Sequence, residues 1–227
     1  MDEQTVEQGN VVDAPSSRAG AREFAAPLGT TRSGRLEIVH GVAKALIRGD
    51  EGMADLVRAR FEGPEPDEVT AQGGVVAVRY PRFAPGDWIR TALLMDRLAA
   101  DISLNTTIPW EVVFDGGIAK VTADLSALAV TRFVIDGGAS EVEVTLPAPR
   151  GVVPVRVDGG VSKVTFHRPP GVPVRLWIKG SASQLVLDDQ RLGAIGGEVR
   201  LNSSHDPNAP DRYEIEIGGG ASRLTIN

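Results

Sequence analysis

The chain has 227 residues, enough for one or two domains with a sizeable core. A net charge of −6 and a pI of about 5.2 argue against a nucleic-acid footprint or an anionic membrane surface. Cysteine is absent, which excludes a disulfide framework, a thiolate zinc site and a cysteine nucleophile.

Residues 1–33 carry Gly, Ser, Pro and charge without periodicity and read as a disordered N-terminal tail. The first twenty residues lack the basic and apolar regions of a Sec signal. No stretch approaches 18 apolar residues, so no direct membrane insertion is expected, and the expected location is cytoplasmic.

From Gly34 a repeat begins. "IVHGVAKALI" and "QGGVVAVRY" are weak copies at Gly41 and Gly74. "PGDWIRTALLMDRLAADI", 85–102, breaks the pattern; Asp87 there suits the cap of a short helix, so a helical or loop insertion is expected. The clear copies follow: "VVFDGGIAKVTA" (112–123), "FVIDGGASEVEV" (133–144) and "VRVDGGVSKVTF" (155–166). A degenerate copy, "IKGSASQLVL", puts Ser181 where the others have the second glycine. A second insertion spans 193–213, with the polar "NSSHDPNAPD" reading as a surface loop. "IGGGASRLTI" closes the series.

Aligned on Gly117, Gly138, Gly160, Ser181 and Gly220, the copies share apolar columns. Phe114, Ile135, Val157, Ile178 and Ile217 form one; Val121, Val142, Val164, Leu185 and Leu224 form another. The columns between them are mostly polar. Such alternation makes half-buried strands, and a period near 21 residues marks stacked units. One unit has a single apolar face that it cannot bury alone. Stacking copies at strand spacing buries each column against itself, with Gly at the corner because it accepts positive φ. An all-β parallel β-solenoid over 34–227 follows. The rival is an antiparallel sandwich or meander, in which inward columns need not be identical.

The run from "ADISLNTTIPW" through "VRVDGGVSKVTF", with the closing "GGASRLTIN", resembles the adhesin-type, or toast-rack, β-repeat family of bacterial proteins. That family is close in pattern to the C-terminal repeats of cell-wall-active antibiotic response proteins. The resemblance implies a right-handed, three-faced β-helix of unknown function.

Chemistry-bearing candidates are few. Asp115, Asp136 and Asp158 share a column and would stack, as a hard cation requires, but Asp-Gly turn chemistry is the preferred account of them and no metal is expected. Lys120, Glu141 and Lys163 would form a charge ladder. Trp177 lies in an outward column, suited to a sugar ring or a protein partner. His205 sits in the long loop, where "SSHDP" places Ser, His and Asp side by side but without converging roles. No cofactor motif or catalytic constellation stands out. The expected function is a non-enzymatic scaffold or interaction module that binds a protein partner or self-associates. Two alternatives are a regulatory module in the envelope-stress response and a carbohydrate-binding or carbohydrate-active solenoid. Because the sequence stops just after a repeat strand, an open final coil is expected, either capped by 196–212 or associating end to end.

Overall fold

Wherever apolar and polar residues alternate, the chain runs as strand, and among the described residues it forms no helix. The computed structural model describes residues 22–63, 65–81 and 99–227. In chain order the first strands are β1 (Arg22–Pro27), β2 (Gly34–Val39), β3 (Val42–Asp50), β4 (Asp55–Glu62), β5 (Glu68–Gln72), β6 (Val75–Arg79) and β7 (Ala99–Asn105). The central ones are β8 (Pro109–Asp115), β9 (Ile118–Asp124), β10 (Ala129–Asp136), β11 (Ala139–Thr145), β12 (Val152–Asp158) and β13 (Val161–His167). The last are β14 (Val174–Ile178), β15 (Ser181–Leu187), β16 (Gln190–Leu192), β17 (Ile195–Gly196), β18 (Val199–Asn202), β19 (Arg212–Ile217) and β20 (Gly220–Ile226).

These strands build two sheets around one core. Sheet I runs β18-β14-β19-β12-β10-β8-β2-β6-β5. Sheet II runs β1-β4-β7-β3-β9-β11-β13-β20-β15-β16, with β17 also beside β15. In sheet I the strands from β14 to β6 are mutually parallel, and so are those from β7 to β15 in sheet II. A coil is therefore one strand of sheet I, a corner, and one strand of sheet II.

The register reproduces the sequence columns. Val112, Phe133, Val155, Ile215 and Leu176 lie side by side across five strands. All five are buried, as are Val121, Val142, Val164, Leu224 and Leu185 opposite them. Phe114 packs at a tilt on Phe133, and Phe133 edge to face on Phe166, with ring centroids 6.0 and 6.2 Å apart.

The corners impose a tighter condition than the strands. Gly116, Gly137 and Gly159 have φ of 115°, 141° and 110° and stack on one another. A Cβ on Gly159 would lie 2.5 Å from the Gly137 carbonyl oxygen, and one on Gly137 would strike that of Gly116. The second glycine is different: a Cβ on Gly160 or Gly117 meets nothing within 4 Å. The demanding position is thus the first of each pair, which explains why Ser181 is tolerated at the second. The amide of Gly116 donates to Asp136 O and that of Gly137 to Asp158 O, so the corner continues the ladder without a break.

Several expectations are corrected. The described strands form two sheets rather than three faces. The third side of each coil is a short connection such as 125–128 or 146–151, the latter carrying Pro147 and Pro149, which withhold ladder donors. Residues 22–33 do not belong to a tail: β1 pairs antiparallel with β4. Residues 1–21 lie outside the described residues. Most of the 85–102 insertion also lies outside them, and its last four residues open β7.

The largest correction concerns chain order. β20 does not lie at an open end but between β13 and β15, and β19 lies between β12 and β14. After β13 the chain leaves one place in the stack empty and lays down β14 and β15. It reverses at Asp188 (φ 52°), where the almost fully buried Arg168 side chain donates to Asp188 Oδ1 at 2.6 Å. It then retraces that coil antiparallel as β16, β17 and β18, and only then fills the empty place. The N-terminal end uses the same device. β4 and β5 are antiparallel to β7 and β6, and the coil of β6 and β7 fills the place between them and β3 and β2. Every sheet edge is consequently a short antiparallel strand, which protects against edge pairing.

Gly159→Ala is expected to destabilise the fold by about 2–3 kcal/mol, from forced positive φ and backbone collision. Gly160→Ala, one residue on and exposed, is expected to stay within about 0.5 kcal/mol of wild type. Urea denaturation of the two variants checks the contrast.

Candidate functional surface

Period-two alternation turns every second side chain of sheet I outward, and parallel register arranges those side chains in rows. One row reads Arg35, Glu111, Arg132 across β2, β8 and β10. Arg35 Nη1 lies 3.2 Å from Glu111 Oε2, and Arg132 Nη1 lies 3.3 Å from Glu111 Oε1. Glu37 joins Arg35 Nε at 2.5 Å. The next row carries Val113 and Val134, and the third carries Val39, Asp115 and Asp136. Together they line a shallow open hollow of about 280 Å³ with a valine floor and a charged rim.

The sequence candidates fall on or near this face. Asp115, Asp136 and Asp158 do stack in register on β8, β10 and β12. Asp158 is taken up by the Arg156 guanidinium, whose pKa is raised by that contact. Among the described residues no group of three His, Cys, Asp or Glu side chains converges as a metal site would require.

Trp177 points outward from β14, opposite Arg200 of β18. Its ring is already occupied: Lys179 Nζ lies 3.8 Å and Arg200 Cζ 4.5 Å from the ring centroid, and its Nε1 donates to Glu198 Oε1 at 3.1 Å. A sugar would have to displace these cations to stack, which disfavours the carbohydrate reading. His205 is exposed in the 203–211 connection and has no hydrogen-bond or ion-pair partner among the described residues. Nothing in the fold brings it to Trp177 as one site.

The outer face of sheet II carries the expected charge ladder. Glu141 accepts from Lys120 at 3.0 Å and from Lys163 at 2.9 Å across β9, β11 and β13. On the same face Ser140, Ser162 and Ser222 are exposed. The register skips each of these residues, so each sits at an outward irregularity next to a buried Ala139, Val161 or Ala221. Sequence alternation alone missed the hollow of sheet I, because Val113 and Val134 lie on the polar-facing parity of their strands.

Residues 23–167 match the family model described as the N-terminal domain of toast_rack, DUF2154. The chain belongs to this family. The matched toast-rack segment runs from β1 through β13 and so includes the hollow. A solved structure of a candidate cell adhesion protein from Clostridium sporogenes aligns over 91% of this chain and 99% of that one, with TM-score 0.66 and 20% identity, a likeness that shows the fold alone. A candidate adhesin from Bacteroides fragilis aligns over 95% and 100% at TM-score 0.31 and 7% identity. No curated protein matches the chain. No helix among the described residues is long and apolar enough to cross a membrane.

The hydrogen bonds from Lys163 and then Lys120 hold the Glu141 carboxyl below the usual carboxylate range. Because this folded-state pKa is lowered, the ladder's contribution is present above the ordinary carboxylate pKa and lost as pH falls through the lowered one. Lys163→Met is expected to move the Glu141 midpoint upward in an NMR pH titration. An unchanged midpoint would show that the lysines do not set it.

Proposed function

We propose that this toast-rack chain is a non-enzymatic interaction module that binds a protein partner laterally, through the outer face of sheet I. The observation that carries this reading is the hollow over Val113 and Val134. An apolar floor inside a charged rim, with the Arg35, Glu111 and Arg132 ion pairs on one side and Asp115 and Asp136 on the other, is the composition of a protein interface, where the centre is desolvated and the rim gives specificity. About 280 Å³, open on one side, falls short of the enclosed pockets that hold drug-sized ligands, but it accepts one or two side chains. Antiparallel strands at both ends support lateral rather than end-on binding.

Val113→Arg fills the hollow without touching the core. Immobilised wild type, Val113→Arg, and Thr122→Arg on the outer face of sheet II are compared for proteins retained from a native extract. The expected result is a specific protein held by wild type and Thr122→Arg and lost by Val113→Arg, with thermal midpoints unchanged. Identical retention by all three would contradict the assignment of this face.

A further inference from the structure

We infer that the C-terminal coil, β19 with β20, is an exchangeable element whose place in the stack accepts the same coil from a second copy of the chain. The argument is topological. Among the described residues, β14 and β15, with the antiparallel strands beyond them, join the strand ladders of the rest of the body only through β19 and β20, with the Arg168–Asp188 ion pair as a side-chain tie. Until that coil enters, β12 and β13 on one side and β14 and β15 on the other present unpaired parallel edges. Those edges are regular and flanked by apolar columns, and β12, β13 and β15 run seven residues each, against at most six for the antiparallel edge strands of the finished body. The coil that closes them follows both of those edges in chain order.

The coil carries its own anchors. Tyr213, Ile215, Ile217, Leu224 and Ile226 are all buried, and the Tyr213 hydroxyl donates to Pro147 O at 2.7 Å. Its covalent tie to the preceding strand is the connection 203–211, mostly exposed and carrying Pro207 and Pro210. Extended, those nine residues reach roughly 30 Å, about six strand spacings. A second copy's coil would make every one of the same contacts. Exchange therefore costs only the reopened connection and the association, the condition for domain swapping. Among the described residues the finished monomer offers no such edge, so exchange belongs to folding or partial opening at high local concentration.

The full chain has no cysteine, which makes the test clean. Ser162 and Ser222 are exposed on adjacent strands β13 and β20, next to the paired Val161 and Ala221. The doubly substituted chain, Ser162→Cys with Ser222→Cys, is unfolded, refolded over a range of concentrations, separated by size and oxidised. The expected dimer-to-monomer ratio rises roughly in proportion to chain concentration during refolding. In the dimer the disulfide joins two chains; in the monomer it closes within one. A protein that is monomeric at every concentration, or a dimer whose disulfides all lie within single chains, overturns the inference. Thr165→Cys with Thr225→Cys, at directly paired positions, supplies the same reading if the serine pair impairs folding.

Discussion

Stacking two coils at strand spacing requires their corners to approach as closely as their strands do. That approach is the constraint on which the molecule depends. Strand backbones meet through hydrogen bonds and tolerate any side chain, because side chains leave the sheet plane. At the corner the backbone turns, and a side chain on the first residue would point into the coil next to it. Gly116, Gly137 and Gly159 meet this condition, and Gly219 and Gly180 extend the same column on the last two parallel coils. His40, directly after β2, takes the equivalent place with φ 69°, where Nδ1 bonds the Tyr80 carbonyl oxygen. Once the corners fit, the register of both sheets is fixed together, and the apolar columns meet their own copies.

A stack built this way has a difficulty at its ends, where parallel edges and apolar cross-sections are bare. The chain resolves it at both ends by turning back on itself. An antiparallel hairpin-like layer covers the terminal coil, and the next parallel coil slides in beneath it. The result, among the described residues, is a body in which β19 and β20 are internal and the edge strands are short and reversed. The surfaces left for recognition are then the two broad outer faces. Sheet II presents hydrophilic ladders; sheet I presents ladders interrupted by a valine-floored hollow.

Much of this was legible in the sequence. The column Val112, Phe133, Val155, Leu176 and Ile215 is buried and in register, and the outward placement of Trp177 and of the Lys120, Glu141 and Lys163 ladder holds. These follow from local alternation, which the pleat converts directly into inside and outside. The order of the last two coils was not legible. "IKGSASQLVL" and "IGGGASRLTI" fit either place equally well, because identical columns make coils interchangeable. Only the length of 188–202, enough to retrace a whole coil, hinted at the detour. The role of β1 was hidden because "REFAAP" is too short to show a period. The hollow was hidden because it depends on neighbouring strands rather than on any one.

The central claim is that the C-terminal coil lies inside the stack and ties its far end to the body. Native-state hydrogen exchange resolved by residue tests it most directly. The account predicts that the amides of Leu224 and Ile226 exchange among the slowest in the chain, well behind those of β16 and β18. Fast, fraying exchange along β20 while β15 stays protected would place the final strand at an open edge and contradict it.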